Sequence, residues 1–286
     1  MNKLELRNVS YIYSKGTPFE KLALDNVSIG FECGKITGLI GHTGSGKSTL
    51  VNLLNGLNKP TSGEVLLDGV NIWSKGVSMS NVRFRVGLVM QYPEHQLFED
   101  TVELDIGFGP KNQGLSDEQI RERVLDAIRF TGITEDMLEK SPFDLSGGQK
   151  RRVAIAGILA MQPEVLVLDE PAAGLDPRGR REILGGLCEY VRERGLTLIL
   201  VSHSMEDMAY YCDNVVVMNG AHVHKQGTVD DIFSDADGLE GIGLDVPVIA
   251  RIAYRLKQMG VPLNGKLYTV NGVRDAITAL IGGGDK

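Results

Sequence analysis

Gly41-His42-Thr43-Gly44-Ser45-Gly46-Lys47-Ser48-Thr49 fits the spacing G-x-x-x-x-G-K-[ST], the phosphate-binding loop. Lys35 to Ile40 ahead of it reads as a short apolar strand, and Leu50 to Gly56 behind it reads as a helix stopped by glycine. The motif requires this strand–loop–helix setting, which a chance glycine-rich turn would lack. Glycines at 41, 44 and 46 let the backbone curl so that successive N–H groups point inward, and the helix N-terminus adds partial positive charge. In such an anion cradle Lys47 reaches the β- and γ-phosphates of a nucleotide, and the Ser48 hydroxyl holds Mg²⁺.

With 286 residues the chain has room for one large α/β domain plus an appendage, or for two modest domains. Its 42% hydrophobic and 23% charged residues place it among ordinary globular proteins. A net charge of −7 argues against broad nucleic-acid binding, which leaves a basic footprint. Cys33, Cys188 and Cys212 show no metal-ligand spacing and read as reduced structural residues of a cytosolic protein. The N-terminal residues lack the apolar core of a signal peptide, and no run approaches the ~18 apolar residues that span a bilayer. Any work at a membrane is therefore expected to go through a partner.

Apolar and polar positions alternate over residues 3–32, which predicts a small antiparallel β-region. Tyr11 and Tyr13 stand two apart on one face of it, and the alternation leaves both open as a surface for stacking a nucleobase. Glu64 to Leu67 reads as a strand before the Asp68-Gly69 turn, and residues 86–90 as a buried strand running into Gln91. Tyr92 to Gly114, rich in Pro, Gly and aromatic residues, reads as a long irregular loop of the kind that is usually functional. Ser116-Asp117-Glu118-Gln119 is a capping box opening a helix that Gly132 stops.

Asp144-Leu145-Ser146-Gly147-Gly148-Gln149 precedes a helix predicted from about 150 to 161. Val165-Leu166-Val167-Leu168 and Thr197 to Val201 read as central parallel strands covered on both faces, with a helix over roughly 178–194 between them. Strands alternating with helices predict a mostly parallel sheet with its ligand sites at the C-terminal strand ends. The character changes from about residue 222. Asp235 to Gly243 reads as a linker, residues 247–259 and 271–281 as amphipathic helices, and the final Gly282-Gly283-Gly284-Asp285-Lys286 as frayed.

The first of those strands ends on Asp169-Glu170. Asp169 suits the metal side of a nucleotide site. In an extended strand Glu170 points the other way, toward an attacking water for which it would be the general base. His203, at the end of the second strand, is placed to bond a γ-phosphate oxygen. Gln91, at a third strand end, is placed to sense Mg²⁺ and the water. Ser146, Gly147 and Gly148 offer N–H groups to a phosphate but bring neither a lysine nor a metal ligand, so they read as half a site.

Taken in order, Gly41–Thr49, Gln91, Leu145-Ser146-Gly147-Gly148-Gln149, Val165–Glu170, Gly174-Leu175-Asp176 and His203 resemble the nucleotide-binding domain of ABC ATPases over about residues 1–230. The resemblance implies a P-loop NTPase of the α/β class. Its parts would be a mostly parallel central sheet, the antiparallel β-region, a helical signature subdomain at about 92–162 and a helical extension over 231–286. It also implies a head-to-tail dimer in which each ATP, with Mg²⁺, lies between the phosphate loop of one chain and Ser146–Gln149 of the other. Carried over by position, Glu170 resembles the catalytic base, His203 the switch histidine, Gln91 the coupling residue and metal contact, and Tyr13 the adenine-stacking aromatic. Ser48 and Asp169 complete the metal side. Ala172-Ala173-Gly174-Leu175-Asp176 departs from the commoner Ser-Ala-Leu-Asp by carrying Gly174 in place of alanine.

More locally, Gly41-His42-Thr43-Gly44, Gln91-Tyr92-Pro93-Glu94-His95-Gln96-Leu97-Phe98, Gly107-Phe108-Gly109-Pro110 and the C-terminal extension resemble the second ATPase subunit of energy-coupling factor transporters, importers of vitamins and, in related systems, of cobalt or nickel. That resemblance implies a heterodimer with a paralogous ATPase at the cytoplasmic face of the membrane, docked on an integral membrane T component with a substrate-binding S component. A soluble clamp on DNA or ribosomes is the competing expectation. Such proteins usually carry coiled-coil insertions or two nucleotide domains, and this acidic chain has neither. A P-loop kinase would leave Leu145–Gln149 and His203 without a role.

Overall fold

The computed structural model describes residues 1–282. In chain order it holds β1 (Asn2–Tyr13), β2 (Lys21–Glu32), β3 (Ile36–Gly41), α1 (Lys47–Leu54), β4 (Ser62–Leu67), β5 (Val70–Asn71), α2 (Met79–Arg85) and β6 (Val86–Val89). There follow α3 (Val102–Asn112), α4 (Asp117–Thr131), α5 (Gly147–Ala160), β7 (Val165–Asp169), α6 (Pro177–Arg194), β8 (Thr197–Val201), α7 (Met205–Tyr211), β9 (Asn214–Asn219) and β10 (His222–Thr228). The chain closes with α8 (Val229–Phe233), α9 (Ala236–Gly241), α10 (Val248–Gln258) and α11 (Val270–Gly282).

Among the described residues two sheets form. One has the order β2-β1-β4-β5 and is antiparallel, and the other has the order β10-β9-β3-β8-β7-β6. In the larger sheet every pair from β9 to β6 is parallel, and β10 adds an antiparallel edge. The continuous apolar run of β7 follows from its place between β8 and β6. Leu166 and Leu168 pack with Val153, Ile183 and Leu187 of the helical layer, while Val165 and Val167 pack with Leu4, Leu6 and Leu53 on the opposite face. The phosphate loop leaves β3 in the middle of this sheet. It therefore stands next to the ends of β7 and β8, where the charged residues lie.

The capping box of α4 is present in both directions: Ser116 Oγ accepts from the Gln119 N–H, and Gln119 Oε1 accepts from the Ser116 N–H. Gly132 closes that helix in the left-handed region at φ 72°.

Tyr92 to Gly114 is not an irregular loop. It forms a 3₁₀ turn (Pro93–Gln96) and then α3. Thr101 caps α3 by accepting from the Leu104 N–H at 3.3 Å, and Val102 and Ile106 are fully buried. Gly107 and Gly109 suit the helix because they lie against Ile120 and Met161 with no room for larger side chains.

The helix predicted from about 150 starts instead at Gly147, with Ser146 as its cap. The change at residue 222 is the β9–β10 hairpin that finishes the sheet. Asp235 to Gly243 is not a linker, because Asp235 caps α9 and Ala236 and Leu239 are buried. The two predicted terminal helices are present as α10 and α11, gathered on a small cluster of Ala253, Leu263 and Val273. Val248 and Ile252 of α10 remain exposed. Of the five terminal residues expected to fray, Gly282 closes α11 and the other four lie outside the described residues.

Candidate nucleotide-binding site

The loop between β3 and α1 is shaped by Gly41 and Gly46, which no other residue could replace without displacing its neighbours. Gly46 precedes α1 at φ 106°, and a Cβ there would stand 2.6 Å from the Ala23 carbonyl oxygen. A Cβ on Gly41 would meet the Met218 carbonyl oxygen at 2.4 Å. Lys47 bends back over the loop so that its ammonium donates to the carbonyls of Gly41 at 2.5 Å and His42 at 3.0 Å. Burial lowers its pKa, and the carboxylates of Glu170 and Asp169 act in the opposite direction. The His42 ring ties the loop to the end of β9, its Nε2 lying 2.9 Å from Asn219 Oδ1 and its Nδ1 2.9 Å from the Thr43 carbonyl.

A cavity of about 390 Å³ opens over this loop, within the size range of small-ligand sites. Thr43, Gly44, Gly46, Lys47, Ser48 and Thr49 form its floor. Gln91, Asp169, Glu170 and His203 reach it from the ends of β6, β7 and β8, and Tyr13 closes it from β1. The Tyr13 and Thr49 hydroxyls are hydrogen-bonded at 3.1 Å, whereas Tyr11 packs against the core beneath the antiparallel sheet. Tyr13, not Tyr11, is thus the aromatic at the mouth. Lys21, Leu22 and Ala23 also line it. Sequence reading missed these three, although the Tyr13↔Lys21 pairing of β1 with β2 places them there. Ser45 belongs to the loop but is fully buried beneath it.

The strand alternation expected for Asp169 and Glu170 does not apply. β7 ends at Asp169, and Glu170 lies beyond it in the left-handed region at φ 53°, its N–H bonded to the Val201 carbonyl at 3.0 Å. Both carboxylates therefore line the same cavity. A non-glycine residue at positive φ beside a cavity is backbone strain of the kind that concentrates at functional sites. Glu170 Oε1 is buried without a hydrogen-bond partner, and His203 Nε2 lies 3.7 Å away. Burial, with the adjacent Asp169 charge adding to it, pushes the Glu170 carboxyl up to about 7. Burial also raises Asp169, against the pull of Lys47 and His203. His203 is shifted down, by burial first and then by Lys47. A carboxyl poised near neutrality at a strand end, beside a phosphate cradle, can accept a proton from water.

Ser146–Gln149 do not line this cavity. They cap α5: Ser146 Oγ accepts from the Gln149 N–H at 3.4 Å, and Gln149 Oε1 accepts from the Ser146 N–H at 3.0 Å. Open space surrounds Gly147, so the N–H groups of this first turn are reachable from outside, while the Gln149 side chain is engaged in the cap. For Mg²⁺ the donors at hand are the hydroxyl of Ser48, the carboxylate of Asp169 and the amide oxygen of Gln91. That all-oxygen set fits a hard cation shared with phosphates.

A sheet of this order, a phosphate loop leaving its central strand and a capped Leu-Ser-Gly-Gly-Gln helix together define a P-loop ATPase of the ABC class. Comparison with known proteins agrees. The ABC transporter family matches residues 24–173. The energy-coupling factor transporter ATP-binding protein EcfA2 of Clostridium perfringens is 48% identical over 97% of this chain and 98% of its own length. The structure of cbiO1 from the same organism, described as part of the ABC transporter complex cbiONQ, superposes with a TM-score of 0.74 at 39% identity, covering 88% of this chain and 99% of that one. The cassette MJ0796, solved as a dimer bound to ADP and Pi, superposes with a TM-score of 0.71 at 28% identity, covering 79% and 98%. The chain belongs to the ABC transporter family, among its energy-coupling factor ATP-binding proteins, and it is an ATPase.

Proposed function

We propose that this chain is the ATP-hydrolysing subunit of an energy-coupling factor importer of vitamins or related micronutrients, cobalt and nickel among them. In this reading residues 1–230 bind and hydrolyse ATP, within them about 92–162 form the signature subdomain, and 231–286 form an extension. The observation that carries the proposal is a division of labour: Lys47, Gln91, Asp169, Glu170 and His203 meet in one cavity, while Ser146–Gly148 present their N–H groups elsewhere. A second ATPase, the paralogous subunit, would bring its own signature helix to this cavity and take the Ser146 helix of this chain in return.

Within the closed site Lys47 and the loop N–H groups hold the β- and γ-phosphates, and Tyr13 stacks on the base. Ser48, Gln91 and Asp169 would hold Mg²⁺, which neutralises phosphate charge when bound. Glu170 takes the proton of the attacking water, and His203, next to Glu170, steadies the γ-phosphate. Catalysis is then mostly positioning and electrostatics.

Exposed apolar side chains follow Gln91 along the chain: Tyr92, Phe98, Leu104 and Phe108, with Phe98 and Phe108 in edge-to-face contact at 4.9 Å. This surface suits a cytoplasmic helix of the membrane T component, and movement of Gln91 would pass through it. Among the described residues no helix is long and apolar enough to cross a membrane, so attachment to its cytoplasmic face would come through that partner and the S component. Affinity purification of the chain from mildly solubilised host membranes, with mass spectrometry of what accompanies it, tests the reading. A second ATPase with polytopic membrane proteins is the expected result. Recovery alone, or with ribosomal or DNA-repair proteins, would leave the ATPase chemistry and remove the transport role.

A further inference from the structure

We infer that Arg151 is a positioning residue for the ATPase reaction, fastening the segment after Gln91, the helix behind Ser146–Gly148 and the turn behind Glu170 into one unit. Arg151 stands on the second turn of α5 and is only 4% exposed. Its Nε donates to Glu94 Oε2 at 3.0 Å and its Nη2 to Glu94 Oε1 at 2.7 Å, a two-pronged pair that only a guanidinium can make. Its Nη1 donates to the Ala173 carbonyl. The guanidinium carbon also lies 5.8 Å from the centre of the Tyr92 ring.

Each contact leads to a residue of the site. Glu94 belongs to the 3₁₀ turn that starts two residues after Gln91. The Ala173 N–H donates to the Glu170 carbonyl at 3.1 Å, so the order of connection is Glu94, Arg151, Ala173, Glu170. Glu170 sits at φ 53°, and such a backbone persists only where its surroundings hold it. Burial works against the ionised form of Glu94, but the bonds from Arg151 outweigh it and keep the carboxyl below its usual range. A displacement of the apolar surface around Tyr92 therefore reaches Glu170 through one buried side chain, without passing through the nucleotide.

The inference rests on Glu170 as the base, and the test separates the two. The complex purified with its membrane partners is assayed for ATP hydrolysis and for thermal melting. Arg151→Lys keeps the charge but cannot hold Glu94 and Ala173 together. It is expected to lower kcat by about 10- to 100-fold, the scale of a misplaced catalytic group, with KM for ATP unchanged. Glu94→Leu combined with Arg151→Met replaces the buried pair by apolar side chains, which restores melting without restoring kcat. Wild-type kcat in Arg151→Lys, or recovery of kcat together with melting in the double variant, would overturn the inference. Glu170→Gln is run alongside. Fast turnover there removes the base, and Arg151→Lys then decides the clamp on its own kcat.

Discussion

Glu170 Oε1 lies 3.7 Å from His203 Nε2, too far for a hydrogen bond, and that oxygen has no hydrogen-bond partner among the described residues. The carboxylate thus lies beside the His203 ring while keeping a lone pair free. A general base needs that lone pair, and a side chain serving only to knit the fold would have used it.

The titration of Glu170 has a consequence for stability. Its carboxyl holds a proton up to about pH 7 in the fold but only up to the usual carboxylate range when unfolded. Between those values the folded state binds more protons, so stability falls as pH rises through this window. Glu170→Gln has no such proton to lose. Its melting temperature should match wild type near pH 4 and exceed it at about pH 8. Equal offsets at both pH values would contradict the raised pKa.

With Glu170 as the proposed base, the same titration should set the rate. Hydrolysis by the free enzyme, measured as kcat/KM, should rise with pH through about 7 and level off above it, as Glu170 loses its proton. A flat profile across that range would assign the step to another group.

Lys47→Ala should weaken ATP binding about 10- to 150-fold, the worth of ~1.5–3 kcal/mol for hydrogen bonds from a charged donor. Equilibrium titration with a fluorescent ATP analogue checks it. Unchanged affinity would mean that the loop N–H groups alone hold the phosphates.

Tyr13→Ala should cost about tenfold in nucleotide affinity through lost aromatic stacking, while Tyr13→Phe keeps most of it. Tyr11→Ala should leave affinity alone and lower the melting temperature, because Tyr11 packs on the core. The opposite pattern would exchange the two roles.

Much of this site was legible because its residues are unusual for where they stand. A glycine-rich loop ahead of a helix, and a pair of carboxylates directly after a buried strand, have few structural uses, so Gly41–Thr49 and Asp169 stood out, whereas His203 drew its role from the resemblance. Features set by contacts distant in sequence were hidden. The glycines at 107 and 109 read as a loop, yet they let α3 press against Ile120 and Met161. Glu170 was assigned by strand alternation, which fails because β7 stops one residue earlier. Arg151 carries no signal of its own in the sequence, because Glu94 and Ala173, which it joins, lie far from it along the chain. Only the pairing of β1 with β2, and the pocket beside it, separates Tyr13 from Tyr11.

Ser116→Ala removes the side-chain half of the α4 capping box and should cost about 1 kcal/mol, lowering the melting temperature by a few degrees without changing ATP affinity. Calorimetry of the two proteins, with nucleotide titration on each, reads both effects.

The most direct test of the account is Glu170→Gln in the complex purified with its membrane partners, measuring ATP binding and hydrolysis on the same preparation. With shape kept and the base removed, binding should match wild type while turnover falls by about 10²- to 10⁴-fold. Turnover near wild type, with ATP bound normally, would contradict the assignment of Glu170 as the base.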